Sequence, residues 1–569
     1  MLKYFYLLFT ILCCYGFSSW KTSKINYPQD YFSSPVTHKI LLSGTFGELR
    51  PNHLHAGIDI KAIYGKTGEP ILAAAEGFIS RINVKSGGYG RAIYMDHPNG
   101  YTTVYAHLQK FSPAVEAYIK KEQYARKQFE ITVYPDSTQF NFAKGDKIGT
   151  LGLSGRSFGP HLHFEIRDTN TEEPINPLLF GIHIEDKLKP LVQGIKVYEL
   201  NEHKETIQEK KFWVKKKASS YKLDKDTLYI SSWRAGFGIE TYDQMNGAPN
   251  KNGVYTLDLL VDDSLIYSFN MERFSFDETR YINAHLDYKE RISNRDYFNR
   301  CFRLPGNKLS IYEKVLEDGI VQLSLYKAKK IRFECTDVNN NQSTLEFWVK
   351  RKEVEVPTTE VYNYKLIYNE ENIVQTGEVE LYFPQGCLYE NLYLKYLASI
   401  DTSNNIYSKV FHIHDRETAI HKYFDLSIKS SNIPSDSYDK AFIAYCNKDG
   451  SYTNCGGLWS GHFLNTKVRE LGDYCIKIDK EAPVIKLLNL NKDNIAFKVI
   501  DNFGTARNVS GLKMEAKIDG NWALFEWDAK NDLLKHKFDG SLNSGKHHLL
   551  LKVEDAMGNA SLFEKEFTL

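Results

Sequence analysis

The ten residues Gly159–Asp168, GPHLHFEIRD, alternate in character, with Leu162, Phe164 and Ile166 between His161, His163, Glu165 and Arg167. A period of two places successive side chains on opposite faces of an extended strand, which specifies one apolar face and one polar face. Both histidines fall on the polar face. Two histidines on a strand are ordinary by themselves, and they become half of a metal site only if donors from elsewhere in the chain meet them.

Two other segments offer such donors. RPNHLHAGIDIKA contains His53, His55 and Asp59, and GYTTVYAHL ends in His107. Pro51 and Gly57 argue against a helix in the first segment, and on an extended chain His55, Gly57 and Asp59 share a face, with the glycine leaving room for a metal or substrate to come close to the backbone. In the second, alternation aligns Tyr101, Thr103, Tyr105 and His107 against Val104, Ala106 and Leu108. Catalytic zinc takes three protein ligands from nitrogen and oxygen donors and keeps a fourth position for water. Hydrolysis also needs groups that accept the water's proton and stabilise an oxyanion, roles that imidazoles fill near neutral pH. Four histidines and one aspartate supply a complete set.

The order of these motifs, His55-x-x-x-Asp59, then YAHL, then GRSFGPHLHFE, resembles the lysostaphin-type M23 family of zinc endopeptidases that cut peptidoglycan peptides. The likeness runs from about Gly44 to Pro177, with GEPILAAAEGFIS, GGYGRAIYMDHPNGYTTVYAHL and KGDKIGTLG between the motifs. It implies an antiparallel β-sheet peptidase domain in which His55, Asp59 and His163 bind Zn2+ and His107 and His161 form the catalytic pair, with the peptide part of bacterial peptidoglycan as substrate. Which of the pair is the base stays open. His53 has no aspartate at the family's spacing and is expected at the cleft rim. Phe158 stands where many members carry threonine. Residues 112–140 are an insertion with a helical first part and a strand-like FEITVYPD, a candidate wall or lid. Glu165 is expected to support its neighbours, Tyr101 and Tyr105 to wall the groove, and His97, in the turn MDHPNG, to be solvated.

The rest of the chain carries no comparable constellation, and His285, His412, His414, His547 and His548 lack partner motifs. A length of 569 residues exceeds what one core serves, and Tyr 37 and Phe 33 against Met 6 favour strands, so an all-β protein of several domains is expected. DKLKPLV from Asp186 recurs as DKEAPVI from Asp479, and the copies end alike, with Asp337, Asn341 and Ser343 spaced as Asp555, Asn559 and Ser561 are. Asp243 to Gly253 likewise matches Asp501 to Gly511. The pattern predicts two related β-sandwiches resembling immunoglobulin-like modules, residues 185–353 (with an insertion) and 478–569, around a third sandwich at 354–477, all behind a peptidase domain at 27–184. NGAPNKNG, DVNNNQ and DNFG are rich in Asp and Asn. Turn chemistry accounts for them, since no loop shows the regular ligand spacing of a calcium site.

Lys+Arg 72 against Asp+Glu 71 leaves no field that would attract nucleic acid. Residues 1–19, a lysine followed by an apolar run and small residues, read as a secretory signal. The run is shorter than the ~20 residues that cross a bilayer, so no transmembrane span is expected after its removal. The protein is then periplasmic, envelope-bound or secreted. Lipid anchoring through Cys13 or Cys14 is the lesser alternative, because Ile11 and Leu12 are bulky for such a site. Of the other six cysteines, Cys446 and Cys455 flank a hairpin-sized loop and are the candidate disulfide. The rival to an enzyme is an envelope regulator or adhesion protein that binds envelope proteins through the same modules; such relatives lack metal ligands, and here none is missing.

Overall fold

The computed structural model describes residues 26–217, 220–353, 361–401, 405–538, 540 and 542–569. The secretory signal at 1–19 and the cysteines Cys13 and Cys14 lie outside the described residues. The chain is mainly β, as the aromatic and β-branched composition requires, with sheets that are almost entirely antiparallel. No described helix is long and apolar enough to cross a membrane.

The first core is built around a twisted sheet whose strands run in the order Leu42–Gly44, Ile58–Lys61, His161–Asp168, Tyr101–Ala106, Arg91–Asp96, Gly77–Val84 and Ile131–Val133. A three-stranded sheet, Pro70–Leu72, Lys147–Leu151 and Leu108–Phe111, packs against it. The strand His161–Asp168 sits between Ile58–Lys61 and Tyr101–Ala106 and buries Leu162, Phe164 and Ile166 completely. Removing such side chains from water stabilises the fold by about 2 kcal/mol each, and that apolar face fixes the register. A one-residue slip would bury the histidine face in the core instead.

Gly57 has a different use from the one its sequence suggests. A Cβ there would stand 2.3 Å from the Phe164 carbonyl oxygen and 2.8 Å from Cγ of Glu165. The missing side chain therefore admits the neighbouring strand, not a metal or a substrate. The insertion is likewise no free lid. Its helix, Pro113–Arg126, sends Val115 and Ile119 into the first core, and its strand Ile131–Val133 extends the main sheet beside Gly77–Val84.

Three further cores follow along the chain. The second spans Val192 to Val349 and takes in Phe46, Leu54 and Ala56 from the segment around His55, so the first two units share apolar contacts. Its two sheets carry a small helical excursion, Ile282–His285 and Tyr288–Ser293, where the long insertion is expected. The third core spans Leu366 to Ile476, and the last one Ile495 to Phe567 between two four-stranded sheets. All six described cysteines are free. Cys446 faces Cys475 across 3.8 Å, while the Sγ of Cys455 turns to the Thr453 carbonyl. The expected Cys446–Cys455 pairing fails because successive hairpin positions point to opposite faces.

Candidate metal centre

His163 and Asp59 are directly opposed in the ladder between His161–Asp168 and Ile58–Lys61, so both side chains rise from one face of the sheet. His55, four residues before Asp59, joins them from the loop that enters the strand. Nε2 of His55 lies 2.9 Å from Nδ1 of His163 and 3.1 Å from Oδ1 of Asp59, and His163 Nδ1 lies 2.9 Å from the same oxygen. All three residues are at least 95 % buried.

The outer hydrogen bonds fix the tautomers. Nδ1 of His55 faces the Thr45 carbonyl at 2.7 Å, and a carbonyl only accepts, so this nitrogen carries the proton and Nε2 is a bare lone pair. Nε2 of His163 donates to Oε1 of Glu165 at 2.7 Å, which leaves Nδ1 as the nitrogen that faces the cluster. Once Nδ1 of His163 gives up its proton, three acceptors converge on one another with no donor among them. Such an arrangement is repulsive until a cation enters. Their separations are close to the ~3.3 Å that ~2.05 Å bonds subtend at a tetrahedral angle, and the mixed nitrogen and oxygen set is one zinc accepts.

Electrostatics separates the two histidine ligands. Burial pushes His55 down to about 4, which keeps it neutral and ready to ligate. Burial would lower His163 as well, but the carboxylates of Asp59 and Glu165 on its two nitrogens lift it to about 9, so with no metal bound Nδ1 carries a proton toward Asp59 and an entering cation takes that proton's place. Burial would raise Asp59, yet the imidazoles of His55, His161 and His163 hold it well below the usual carboxylate range. Glu165 is fully buried and ionised down to about 2, since Arg167 and His163 outweigh the cost of burial. Arg167 donates to its Oε2 at 2.6 Å, and the Tyr89 hydroxyl donates to Oε1. Glu165 therefore orients His163, the supporting use expected of it.

His107 and His161 stand beside this cluster with ring centroids 4.8 Å apart. Strict alternation would send His107 into the core with Tyr105, but His107 adopts φ of 62°, a left-handed conformation that turns the ring to the opposite face. Its amide donates to the Tyr89 carbonyl, and its Nδ1 faces the Ser154 carbonyl at 2.8 Å. Nδ1 of His161 faces the Gly159 carbonyl at 2.8 Å, and its Nε2 lies 3.4 Å from Oδ1 of Asp59. Burial pushes His107 down to about 3, so it is a neutral acceptor at Nε2.

The remaining sequence expectations divide. His53 is exposed and bonds only the Pro51 carbonyl, outside the cluster. Phe158 is 94 % exposed at the mouth. Tyr105 is a core residue and not a groove wall: fully buried, its hydroxyl accepts from the Ala74 amide and from Thr103. Tyr101 packs edge-on against Phe180. His97 is buried and not solvated, held between the Glu76 carbonyl and Thr103, because the turn folds back under Phe32. Arg50, whose Nη2 donates to Oδ2 of Asp59 at 2.6 Å, was not signalled by the sequence, since no periodicity links it to the aspartate. Tyr89 was equally silent within GGYG.

A buried His, Asp, His cluster flanked by two imidazoles on an antiparallel β-sheet is the arrangement of a metal-dependent hydrolase. Residues 53–125 match the model of peptidase family M23, and residues 363–479 match that of the Zu5-like domain. The chain is 33 % identical over 156 residues to the DD-carboxypeptidase/endopeptidase Mpg of Neisseria meningitidis, 27 % of this chain and 26 % of that protein. It is 34 % identical over 113 residues to the peptidoglycan DD-endopeptidase ShyC of Vibrio cholerae, 20 % of this chain and 19 % of that one. Identity to the lipoprotein NlpD of Yersinia enterocolitica is 30 % over 118 residues, 21 % of this chain and 95 % of that sequence. The chain thus belongs to peptidase family M23. It spans about a quarter of the length of the first curated relatives.

Proposed function

We propose that this protein is an exported zinc metalloendopeptidase that hydrolyses peptide bonds of bacterial peptidoglycan, with His55, Asp59 and His163 as ligands and His107 and His161 as the catalytic pair. The observation that carries this reading is the convergence of three potential ligand atoms within 3.1 Å of one another, each oriented by an outer bond. The names of the relatives Mpg and ShyC support the substrate class.

Zinc held there supplies a Lewis acid for the scissile carbonyl and lowers the pKa of water. The chain supplies the rest. Thr45 and Glu165 hold the two ligand imidazoles in the required tautomers, and the Arg50 guanidinium keeps the outer oxygen of Asp59 occupied so that Oδ1 faces inward. The Ser154 and Gly159 carbonyls hold the protons of His107 and His161 on Nδ1, so that each presents a bare Nε2 to the cleft. One takes the proton of the attacking water and passes it to the leaving amine, while the other, once protonated, faces the oxyanion. The β-sandwich and Zu5-like modules position this domain in the envelope or contact other envelope proteins.

The test is digestion of purified peptidoglycan by the full chain, with products identified by mass spectrometry. Wild type is expected to carry one zinc and release peptides, and His163→Ala to do neither. Zinc-free wild type with no peptide release, or an equally active His163→Ala, would refute the reading.

A further inference from the structure

The internal repeat has a structural counterpart that the peptidase chemistry does not use. Asp186, Asp243 and Asp337 each offer a carboxylate oxygen within 4.8 Å of the others, and so do Asp479, Asp501 and Asp555. These six residues occupy paired positions of the repeat. In each copy the first aspartate lies in the linker that enters the module, and the third directly follows a long strand, Lys329–Thr336 or Lys546–Glu554. The supporting bonds are duplicated as well. The side-chain amide of Asn341 donates to the Asp186 carbonyl at 3.3 Å and to Oδ2 of Asp337 at 2.7 Å. That of Asn559 donates to the Asp479 carbonyl at 3.1 Å and to Oδ2 of Asp555 at 2.8 Å.

Among the described residues no lysine or arginine forms an ion pair with any of the six carboxylates. The charged groups acting on Asp243 are Asp337 and Asp186, and those acting on Asp501 are Asp555 and Asp479. Burial together with these like charges pushes Asp243 up to about 8 and Asp501 to about 6. Partners are missing too. Asp243 is 2 % exposed and its Oδ1 has no hydrogen-bond partner, nor has Oδ2 of Asp186. Asn252, also 2 % exposed, stands directly across the ladder from Asp243 on the same face, and neither atom of its amide is bonded. In the second copy Oδ1 of Asp501 is likewise bare.

The other oxygens accept bonds from nearby amides, but a bare oxygen on buried Asp243, or on half-buried Asp501, beside two further carboxylates is costly unless a cation joins them. The donors are all oxygens, which suits a hard cation and not zinc or copper. Oxygens bound to one calcium ion at ~2.4 Å stand no more than ~4.8 Å apart, and the three carboxylates of each cluster come within that limit. Ile184, two residues before Asp186, belongs to the first core, and Ile478, immediately before Asp479, packs on the third. The clusters therefore lie where one module follows another.

We infer that each cluster is a calcium site and that the two ions fix the entry linkers of the two related modules. Ligands drawn from a linker and two separate strands leave no loop with regular spacing, which is why Asp337 in DVNNNQ and Asp501 in DNFG read as turn chemistry in the sequence.

Equilibrium dialysis of the full chain against 45Ca2+ tests this. Wild type should bind two more equivalents of calcium than the double variant Asp243→Asn, Asp501→Asn, each single variant should lose one, and calcium should raise the melting temperature of wild type but not of the double variant. Near-UV circular dichroism reports whether the variants fold, and the intact copy in each single variant serves as internal control. If wild type binds no calcium at millimolar concentration, or the folded double variant keeps both equivalents, the inference is overturned. Should the variants fail to fold, the wild-type stoichiometry and its melting shift decide alone: two equivalents and a shift support the sites, and fewer or no shift overturn them.

Discussion

Glu165 accepts the Nε2 proton of His163 at 2.7 Å, and that single bond decides which nitrogen of His163 faces Asp59. The carboxylate is itself held by Arg167 at 2.6 Å, so a chain of buried charges runs from the guanidinium to the metal-facing lone pair. Replacing Glu165 by Gln keeps the shape and removes the charge. Partners at this distance from a metal typically alter affinity 10–100-fold, and Glu165→Gln is expected to weaken zinc by about that factor. Competition with a chromophoric chelator measures it, and unchanged affinity would deny Glu165 its orienting role.

The five site residues should separate into two kinds. His55→Ala, Asp59→Ala and His163→Ala are expected to lose zinc and activity together. His107→Ala and His161→Ala should keep one zinc per chain and lose about 10²-fold or more in kcat, the usual contribution of a positioned proton carrier. Metal analysis beside peptide-release kinetics distinguishes the groups, and loss of zinc in His107→Ala would move that residue among the ligands.

Gly57→Ala tests whether backbone packing builds the site. The added methyl would meet the Phe164 carbonyl at 2.3 Å, and the strand that carries His163 would have to move. A destabilisation of about 3 kcal/mol is expected from overpacking a rigid ladder, together with loss of zinc. Calorimetry with and without zinc reads both, and a variant that melts and binds as wild type does would show the ladder to be compliant.

Acid should weaken the second module through His285. This residue is fully buried, with Asn299 and Tyr312 on its two nitrogens, and burial pushes it down to about 4. The unfolded chain binds a proton near pH 6.5 and the folded chain does not, so stability is intact above about 6.5 and falls as the pH drops toward 4. The loss from this one group is up to about 3 kcal/mol. Urea titrations at pH 7.5 and 4.5 are expected to show a smaller difference for His285→Gln than for wild type.

The last module touches the site loop. Nζ of Lys530 donates to the Ser157 carbonyl at 2.6 Å, and Trp522 packs edge-on against Tyr124 of the inserted helix. The loop so held supplies the carbonyls of Ser154 and Gly159 that orient His107 and His161. Lys530→Met is expected to lower kcat several-fold with zinc stoichiometry unchanged. A variant with wild-type kcat would mean that the contact leaves the loop alone.

Much of the site was legible because strands have a period of two. The apolar face of Leu162, Phe164 and Ile166 and the polar face of His161, His163 and Glu165 follow from alternation, whereas His55 reaches Asp59 from the loop before the strand Ile58–Lys61 and Gly57 faces the Phe164 carbonyl, so no shared face of one strand unites them. His107 was legible only by motif. Alternation grouped it with Tyr105, and a positive φ at one residue reverses that. His97 and Tyr105 were misplaced for a related reason: the segments that cover them, Phe32 and Ala74, are distant in sequence.

By itself the sequence determined the β class, the repeat that unites two modules and the residue types that can ligate a metal, because these depend on composition and on spacing along a regular backbone. The tertiary structure alone decided which nitrogen of each histidine faces the cluster, that Arg50 and Tyr89 stand behind the ligands, that Cys446 faces Cys475, and that six repeated aspartates gather into two clusters. Those outcomes depend on contacts between segments tens to hundreds of residues apart, and no local period encodes them.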